Sequence, residues 1–557
     1  MTVPEESQSS PTTTQSQKTG RSLAGIAGIV AIATLLSKVM GLARQVAIAS
    51  AFGVGPAVGA YEFASIIPGF FLILLGGING PFHSAIVSAL AKRDRQESGP
   101  LIERISTLVG LVLLGVTLIV VAAAPLMIDL LAPGLQATAP EVRAIAIRQL
   151  QIMAPMAWFA GMIGIGFGAL NAADQYWLPS ISPLLSSLAV ILGIGALGLT
   201  LGPEIMTPQY ALLGGIVLAI TTLSGTILQW LAQVWAQKRE GLGNLRLRFG
   251  FDDPGVRDVM RVLGPALFAS GMLQINVYTD MFFTSFLPNP AASVSALNYA
   301  NLLVQAPLGV LSNMILVPFL PVFSRLRDPQ DWPELKERIR QGLVLTAIAM
   351  LPLGSLIFAL AKPIVQVVYE RGAFQSDASA IVAPVLMAYS VGMFVYLGRD
   401  VLVRVFYGLG DGTTPFRISM VNILVNAVLD FIFVRVFGWG TPGLVLATVG
   451  VNVASMVALL WFLNQRLNGL PLQRWLRPLL GLTGASVFAG VTAYVVMLGI
   501  ESWVSGSRGL AGNFFGYFVE MAVSGSVGLA VFGLMAARLR LPEFDQFVGR
   551  IRQVVRR

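Results

Sequence analysis

Two cations sit six residues apart inside one apolar stretch, Lys38 and Arg44. In a helix they are separated by about 9 Å along the axis, with Gly41 between them to permit a bend. A charged side chain at mid-bilayer costs at least ~2.5–3.5 kcal/mol on insertion scales, so such residues mark a water-filled cavity or a paired site. Two cations facing a cavity suit an anionic ligand such as a diphosphate. The competing reading is that one of them snorkels to a lipid headgroup.

A second constellation is acidic. Asn422, Asn426 and Asp430 recur every fourth residue, which places them on one helix face. Asp280 lies in another apolar segment, and Thr448 and Asn452 stand four apart in a third. Two carboxylates with amide and hydroxyl oxygens suit a hard cation. Na⁺ is the monovalent candidate, a proton shared between the carboxylates is its rival, and interhelical hydrogen bonding is the purely structural alternative.

The other charges within apolar segments are read one by one. Arg399 and Asp400 are adjacent, so they point about 100° apart and are not expected to share a face. Arg404 serves either the substrate or the membrane interface. Glu62 is expected at an exposed outer mouth, Glu520 in a pair, and the lone histidine, His83, packed or lining a cavity. No Walker loop, HExxH motif or Ser/His/Asp arrangement occurs, so an enzyme is not expected. Gly76-Gly77-Ile78-Asn79-Gly80 lies within an apolar run and reads as a helix bend rather than a phosphate loop. With no cysteine, disulfides and thiolate sites are excluded, and with one histidine a His-ligated metal is not expected.

These residues need elements to hold them, and composition says which. Apolar residues make up 55% and charged residues 12% of 557, with a mean hydropathy of +0.75. Soluble chains carry about 25% charged residues, so the solvent for most of this chain is lipid. A helix needs roughly 20 apolar residues to cross. Fourteen such spans are expected, at 23–51, 58–90, 105–131, 149–171, 179–201, 209–236, 262–287, 292–323, 341–368, 379–408, 414–437, 442–464, 477–499 and 513–536. The predicted fold class is therefore an all-α polytopic membrane protein. Residues 1–22 are Ser/Thr/Gln-rich and read as a disordered tail, with no removable signal peptide after them.

Basic residues orient the bundle. With a cytoplasmic N-terminus, 27 of the 37 Lys and Arg fall in cytoplasmic segments and 5 on the opposite side. This is the asymmetry of the positive-inside rule. It places both termini in the cytoplasm, and the inner membrane of a bacterium is the expected location. It also accounts for the net charge of +9 without a nucleic-acid partner.

Two echoes divide the spans. Leu170-Asn171-Ala172-Ala173-Asp174-Gln175-Tyr176-Trp177-Leu178-Pro179 follows the fourth, and Gly408-Leu409-Gly410-Asp411-Gly412-Thr413-Thr414-Pro415 follows the tenth. Both are short turns ending in a proline that opens a helix, where its missing N–H costs nothing. Mid-span prolines, Pro68 and Pro307, similarly relate the second and eighth spans. Two six-helix lobes of like orientation are expected, at 23–240 and 255–466, with the substrate between them. Helices 13 and 14 (475–537) are appended, and 538–557 form a basic cytoplasmic tail.

The run Ser37-Lys38-Val39-Met40-Gly41-Leu42-Ala43-Arg44-Gln45, with Phe52-Gly53-Val54-Gly55, Ala60-Tyr61 and Pro68, resembles the first two helices of the MurJ/MviN lipid II flippase family. The segment Phe406 to Pro415 is similar to that family's aromatic-turn-Thr-Pro signature, Leu170 to Pro179 with Ser182-Pro183 to its counterpart, and Ser295-Ala296-Leu297-Asn298-Tyr299-Ala300 to its eighth helix. The resemblance covers roughly residues 25–470. It implies the fold of the multidrug/oligosaccharidyl-lipid/polysaccharide exporters and alternating access that moves an undecaprenyl-diphosphate-linked muropeptide to the periplasmic leaflet. It further implies substrate contacts at Lys38, Arg44 and Ser295, and a lipid-tail groove in helices 13 and 14. Asp280, Asn426, Asp430 and Thr448, with the Leu444 carbonyl, fall where family members with a sodium site have ligands.

There are departures from that pattern. Lys38 stands where an arginine is usual, which loses the bidentate fork. Two expected arginines fall on Leu72 and Leu302, Asn301 replaces an acidic neighbour, and two acidic positions fall on Gly59 and Gly77. Arg399 or Arg404 would then complete the cationic cavity. The expected substrate is lipid II or a related lipid-linked diphosphate, and the expected protein is a monomer whose only cofactor is a coupling Na⁺ or proton. The alternative is an exporter of another lipid-linked polysaccharide or of drugs. A non-transporting scaffold has no use for costly buried charges.

Overall fold

The computed structural model describes residues 23–77, 81–90, 95–243, 246–250, 252–261, 263, 275–505, 514–545 and 549. Among them no strand forms; Arg371 and Phe374 make an isolated antiparallel bridge. In lipid every backbone polar group must be satisfied within its own segment, and helices do this.

The first half of the chain runs through α1 (Leu23–Phe52), α2 (Pro56–Leu74), α3 (Pro81–Leu90), α4 (Arg95–Leu131), α5 (Pro140–Met153), α6 (Met156–Ala172), α7 (Pro183–Leu201) and α8 (Ala211–Arg239). The second half holds α9 (Ile275–Thr284), α10 (Pro290–Arg325), α11 (Trp332–Ala359), α12 (Ala361–Tyr369), α13 (Ser376–Val391), α14 (Met393–Gly408), α15 (Thr413–Phe431) and α16 (Gly440–Arg466). α17 (Leu472–Ser505) and α18 (Phe514–Arg538) follow.

Twelve helices among the described residues are long and apolar enough to cross a membrane, and α5 with α6, bent by 41°, makes a thirteenth. The bend falls at Pro155, which lacks the N–H that would continue the ladder. The expected span 262–287 is described only at α9, because residues 264–274 lie outside the described part. The count is thus consistent with about fourteen spans.

Some expected spans are broken rather than continuous. The stretch 58–90 divides into α2 and α3 beyond Leu74, at the glycine run read as a bend. The stretch 341–368 divides at Leu360, and 379–408 at Gly392. α1 passes Gly41 as helix without interruption.

The echoed turns close alike. Gln175 N donates to Leu170 O at 2.9 Å and Asp411 N to Phe406 O at 2.9 Å. In each, the residue before the donor, Asp174 or Gly410, has positive φ (63° and 78°), the geometry of a Schellman helix end.

Within the first half α1 packs on α7, α7 on α8, α2 on α5, and α3 on α6. In the second half α10 packs on α13 and α14, and α15 on α16. α17 and α18 pack on each other, α17 on α11 and α18 on α12. Small residues allow these approaches: a Cβ on Gly164 would overlap the Leu75 carbonyl.

Candidate functional site

The two halves meet where α1 ends and α2 and α10 begin. Pro290 opens α10, and the Asn289 side chain accepts from Ala292 N at 3.2 Å. Nearby, the Tyr299 hydroxyl of α10 donates to Gly53 O at 2.9 Å. Ala373 N donates to Ser50 O at 2.7 Å. Asn298 donates to the Glu62 carboxylate. Beyond α4, Gly134 N donates to the Ser285 hydroxyl at 3.0 Å, and the Thr138 hydroxyl to Ser285 O at 3.1 Å. All these links lie at one end of the bundle. Tyr299, Tyr369 and Phe374 pack there with ring centroids 5.0–5.6 Å apart.

Gly59 explains one departure from the family pattern. A Cβ there would overlap the Ala291 backbone of α10, so an acidic side chain has no room in this closed seam. Leu72 and Leu302 are both partly buried, apolar where the family pattern has cations.

Arg44 lies beneath the seam. Its Nε is buried and has no hydrogen-bond partner, and its charge acts on Tyr61 and Glu62. Glu62 is therefore not the exposed mouth residue that its place near a helix start suggested. It is half-buried and tied to α10 through Asn298, a partner 236 residues away that spacing rules do not reach. Lys38 is exposed, and its Nζ would lie 3.2 Å from a Cβ on Gly309, so it reaches across from α1 to α10. Ser295 is fully buried, with its hydroxyl donating to Ala291 O at 2.8 Å; in this conformation it belongs to the packed seam.

Arg399 donates from Nε to the Ser455 hydroxyl at 3.1 Å, and its Nη1 stands 3.8 Å from Asp400 Oδ1. Adjacent residues start about 100° apart, and the long guanidinium stem of Arg399 still reaches the Asp400 carboxylate. Arg404 donates to Leu316 O of α10 at 3.2 Å.

The acidic constellation assembles. Asn426 donates one amide hydrogen to Asp280 Oδ1 at 2.9 Å and the other to Asp430 Oδ2 at 2.8 Å. Asp280 also faces Asp430 and Thr448. The Thr448 hydroxyl donates to Leu444 O at 3.3 Å, and Asn452 donates to Thr448 O at 2.8 Å. Asp430 is fully buried, and its Oδ1 has no hydrogen-bond partner. Two carboxylates held by one amide carry like charges at close range, and a cation or a proton would neutralise them. The oxygen-only donor set fits a hard monovalent cation.

His83 Nε2 lies 2.6 Å from Asn171 Nδ2, as a packed histidine should. Glu520 is buried in α18; Lys362, the cation whose charge reaches it, stands 3.7 Å from Glu501.

Comparison with known proteins gives a consistent likeness. A family model described as lipid II flippase MurJ matches residues 48–511. A probable lipid II flippase MurJ of Synechocystis sp. is 56% identical over 96% of this chain and 98% of its own length. A lipid II flippase MurJ of Burkholderia cenocepacia is 29% identical over 82% of this chain and 87% of its own. Among solved structures, "Lipid II flippase MurJ, inward closed conformation" superposes with a TM-score of 0.72 at 22% identity, covering 92% of this chain and 99% of that one. An inward-facing multidrug resistance MATE transporter superposes with a TM-score of 0.60 at 17% identity, over 79% of this chain and 98% of that one. At these identities the two structures speak to the fold.

Proposed function

The chain belongs to the lipid II flippase family MurJ, and from that premise we infer that it carries the lipid-linked peptidoglycan precursor across the bacterial inner membrane for cell-wall assembly. It is a multi-pass membrane transporter. The exporter of other polysaccharides or drugs is not favoured, since the MATE likeness rests on fold alone.

The observation that carries the mechanism is the hydrogen-bonded seam over Arg44, at one end of the bundle. The 27-to-5 distribution of basic residues supports assigning the sealed end to the periplasm and both termini to the cytoplasm. This state then faces inward, toward the leaflet where the precursor is made. The diphosphate meets exposed Lys38 first and then the buried, unpartnered Arg44 Nε. A guanidinium donates to phosphate in a planar fork. Drawing Arg44 toward the diphosphate removes its charge from Glu62, whose bond with Asn298 helps to hold the seam. Substrate binding and release of the periplasmic seal are thereby linked. Arg399 and Arg404 line the second half; Arg404 exchanges Leu316 O for substrate, and Arg399 exchanges the Ser455 hydroxyl and its ion pair with Asp400.

The lobes of this transporter are 23–240 and 255–466, and 475–537 supply the groove for the lipid tail. Asp280, Asn426, Asp430, Thr448 and the Leu444 carbonyl would hold a coupling Na⁺, which would supply the charge that cancels the carboxylate repulsion between α9 and α15. The supporting observation is the orphaned Asp430 Oδ1. The test of the transport reading is rescue of a flippase-depleted bacterium by this chain. Failure to rescue at normal membrane levels refutes it.

A further inference from the structure

A slot of about 660 Å³ lies in the first half between α4, α6 and α8, lined by no residue of the seam or of α1 and α10, which bear Lys38, Arg44 and Ser295. Its two ends differ in chemistry. Trp158, Met162, Ile165 and Trp230 line one end, and Lys238 and Arg246 the other. Trp230 precedes Lys238 by eight residues on α8, about 12 Å along the axis. The slot therefore runs along the helices, apolar in the membrane and cationic at its boundary.

The apolar end is rigid. Trp158 and Trp230 pack edge to face at 5.4 Å, and Phe159 packs on each, at 5.0 and 5.4 Å. The cationic end is unbalanced. Arg104 pairs with Asp253 and Arg248 with Glu103. Lys238 and Arg246 are both exposed, and neither has an acidic partner among the described residues. Beside them, Arg239 lies over the exposed Trp235 ring at 5.5 Å, the amphipathic pairing found at a membrane–water boundary.

We propose that this slot binds one anionic phospholipid of the adjoining leaflet, its phosphate between Lys238 and Arg246 and one acyl chain running past Met162 and Ile165 to the Trp158–Trp230 pair. A soluble anion would use the cations and leave the aromatic end unfilled. A zwitterionic lipid offers the same phosphate but brings its own ammonium up against the two cations. Basic pockets between spanning helices at the cytoplasmic boundary recognise anionic headgroups in this way. Gly243, Arg246 and Leu247 belong to the segment that leaves α8 toward the second half. The bound lipid therefore also fastens this segment against α4.

The test uses the full chain in detergent, stripped of lipid and titrated with phosphatidylglycerol or phosphatidylcholine, with bound lipid counted by intact-complex mass spectrometry. The parent is expected to bind one phosphatidylglycerol at least tenfold more tightly than phosphatidylcholine. The exposed double variant Lys238→Gln/Arg246→Gln loses that preference, Trp230→Ala weakens both lipids, and Arg239→Gln, outside the slot, changes neither. Equal binding of the two lipids by the parent overturns the proposal. So does undiminished phosphatidylglycerol binding by the double variant. Displacement of the bound lipid by undecaprenyl diphosphate would assign the slot to the substrate and overturn it as well.

Discussion

The Tyr299 hydroxyl donates to the Gly53 carbonyl at 2.9 Å across the seam between the two halves. Tyr299 is fully buried, and its own carbonyl accepts from the Tyr369 hydroxyl at 3.2 Å. One side chain thus closes the end of the transporter and is itself clamped in place.

Tyr299→Phe keeps the ring and removes the bond. A net hydrogen bond is worth about 0.5–1.5 kcal/mol, so the closed-to-open ratio should fall about two- to tenfold. The chain has no cysteine, which makes single-cysteine labelling clean. A cysteine at Ala64, beneath the seam, should react faster with an impermeant thiol reagent from the periplasmic side in the variant. An unchanged rate contradicts the sealing role.

Arg44→Ala should abolish rescue of flippase-depleted cells while membrane levels stay normal. Arg44→Lys keeps the charge but not the fork and should rescue partly. Normal growth with the alanine variant refutes the role in diphosphate binding.

The carboxylate cluster was legible because each member announces itself. Asn422, Asn426 and Asp430 share a face by period, and a carboxylate in an apolar span has to find a partner. The structure adds what period cannot give, that the Asn426 amide donates to both carboxylates. Glu62 was misplaced because its partner, Asn298, is remote in the chain and on another helix. Arg399 and Asp400 leave α14 on different faces, and what helix geometry does not give is the reach of the guanidinium stem that brings them to 3.8 Å. The break within 58–90 was marked by Gly76-Gly77, whereas the one within 379–408 was hidden because apolar residues flank Gly392 on both sides. Trp158 and Trp230 gave no signal in the chain, since aromatic residues in spans usually pack as core.

Na⁺ bound to the native cluster should raise thermal stability in detergent, by about 2.7 kcal/mol at a hundred times its Kd. K⁺ should do so less, and Asp430→Asn should lose the response. A melting curve indifferent to Na⁺ in the parent but sensitive to pH would assign the cluster to a proton.

Asp411 gives a pH signature outside the membrane. Burial alone would raise its carboxyl, but the Thr414 backbone and hydroxyl, the Thr413 hydroxyl and Arg466 hold it at about 2. An unfolded aspartate titrates at about 3.9. The folded value is depressed, so its contribution is complete above about pH 4 and is lost as pH falls through about 2. Asp411→Ala should cost about 1 kcal/mol at pH 6, as loss of a helix cap does. The gap between parent and variant melting temperatures should close toward pH 2. A gap that persists there refutes the charged cap.

The most direct measurement of the central claim is the outer-leaflet exposure of lipid II in flippase-depleted cells that express this chain. A membrane-impermeant probe of the pentapeptide-bearing headgroup reads it. The parent chain should restore exposure, and Arg44→Ala at equal abundance should not. Exposure that stays absent with the parent chain present in the membrane would contradict lipid II transport.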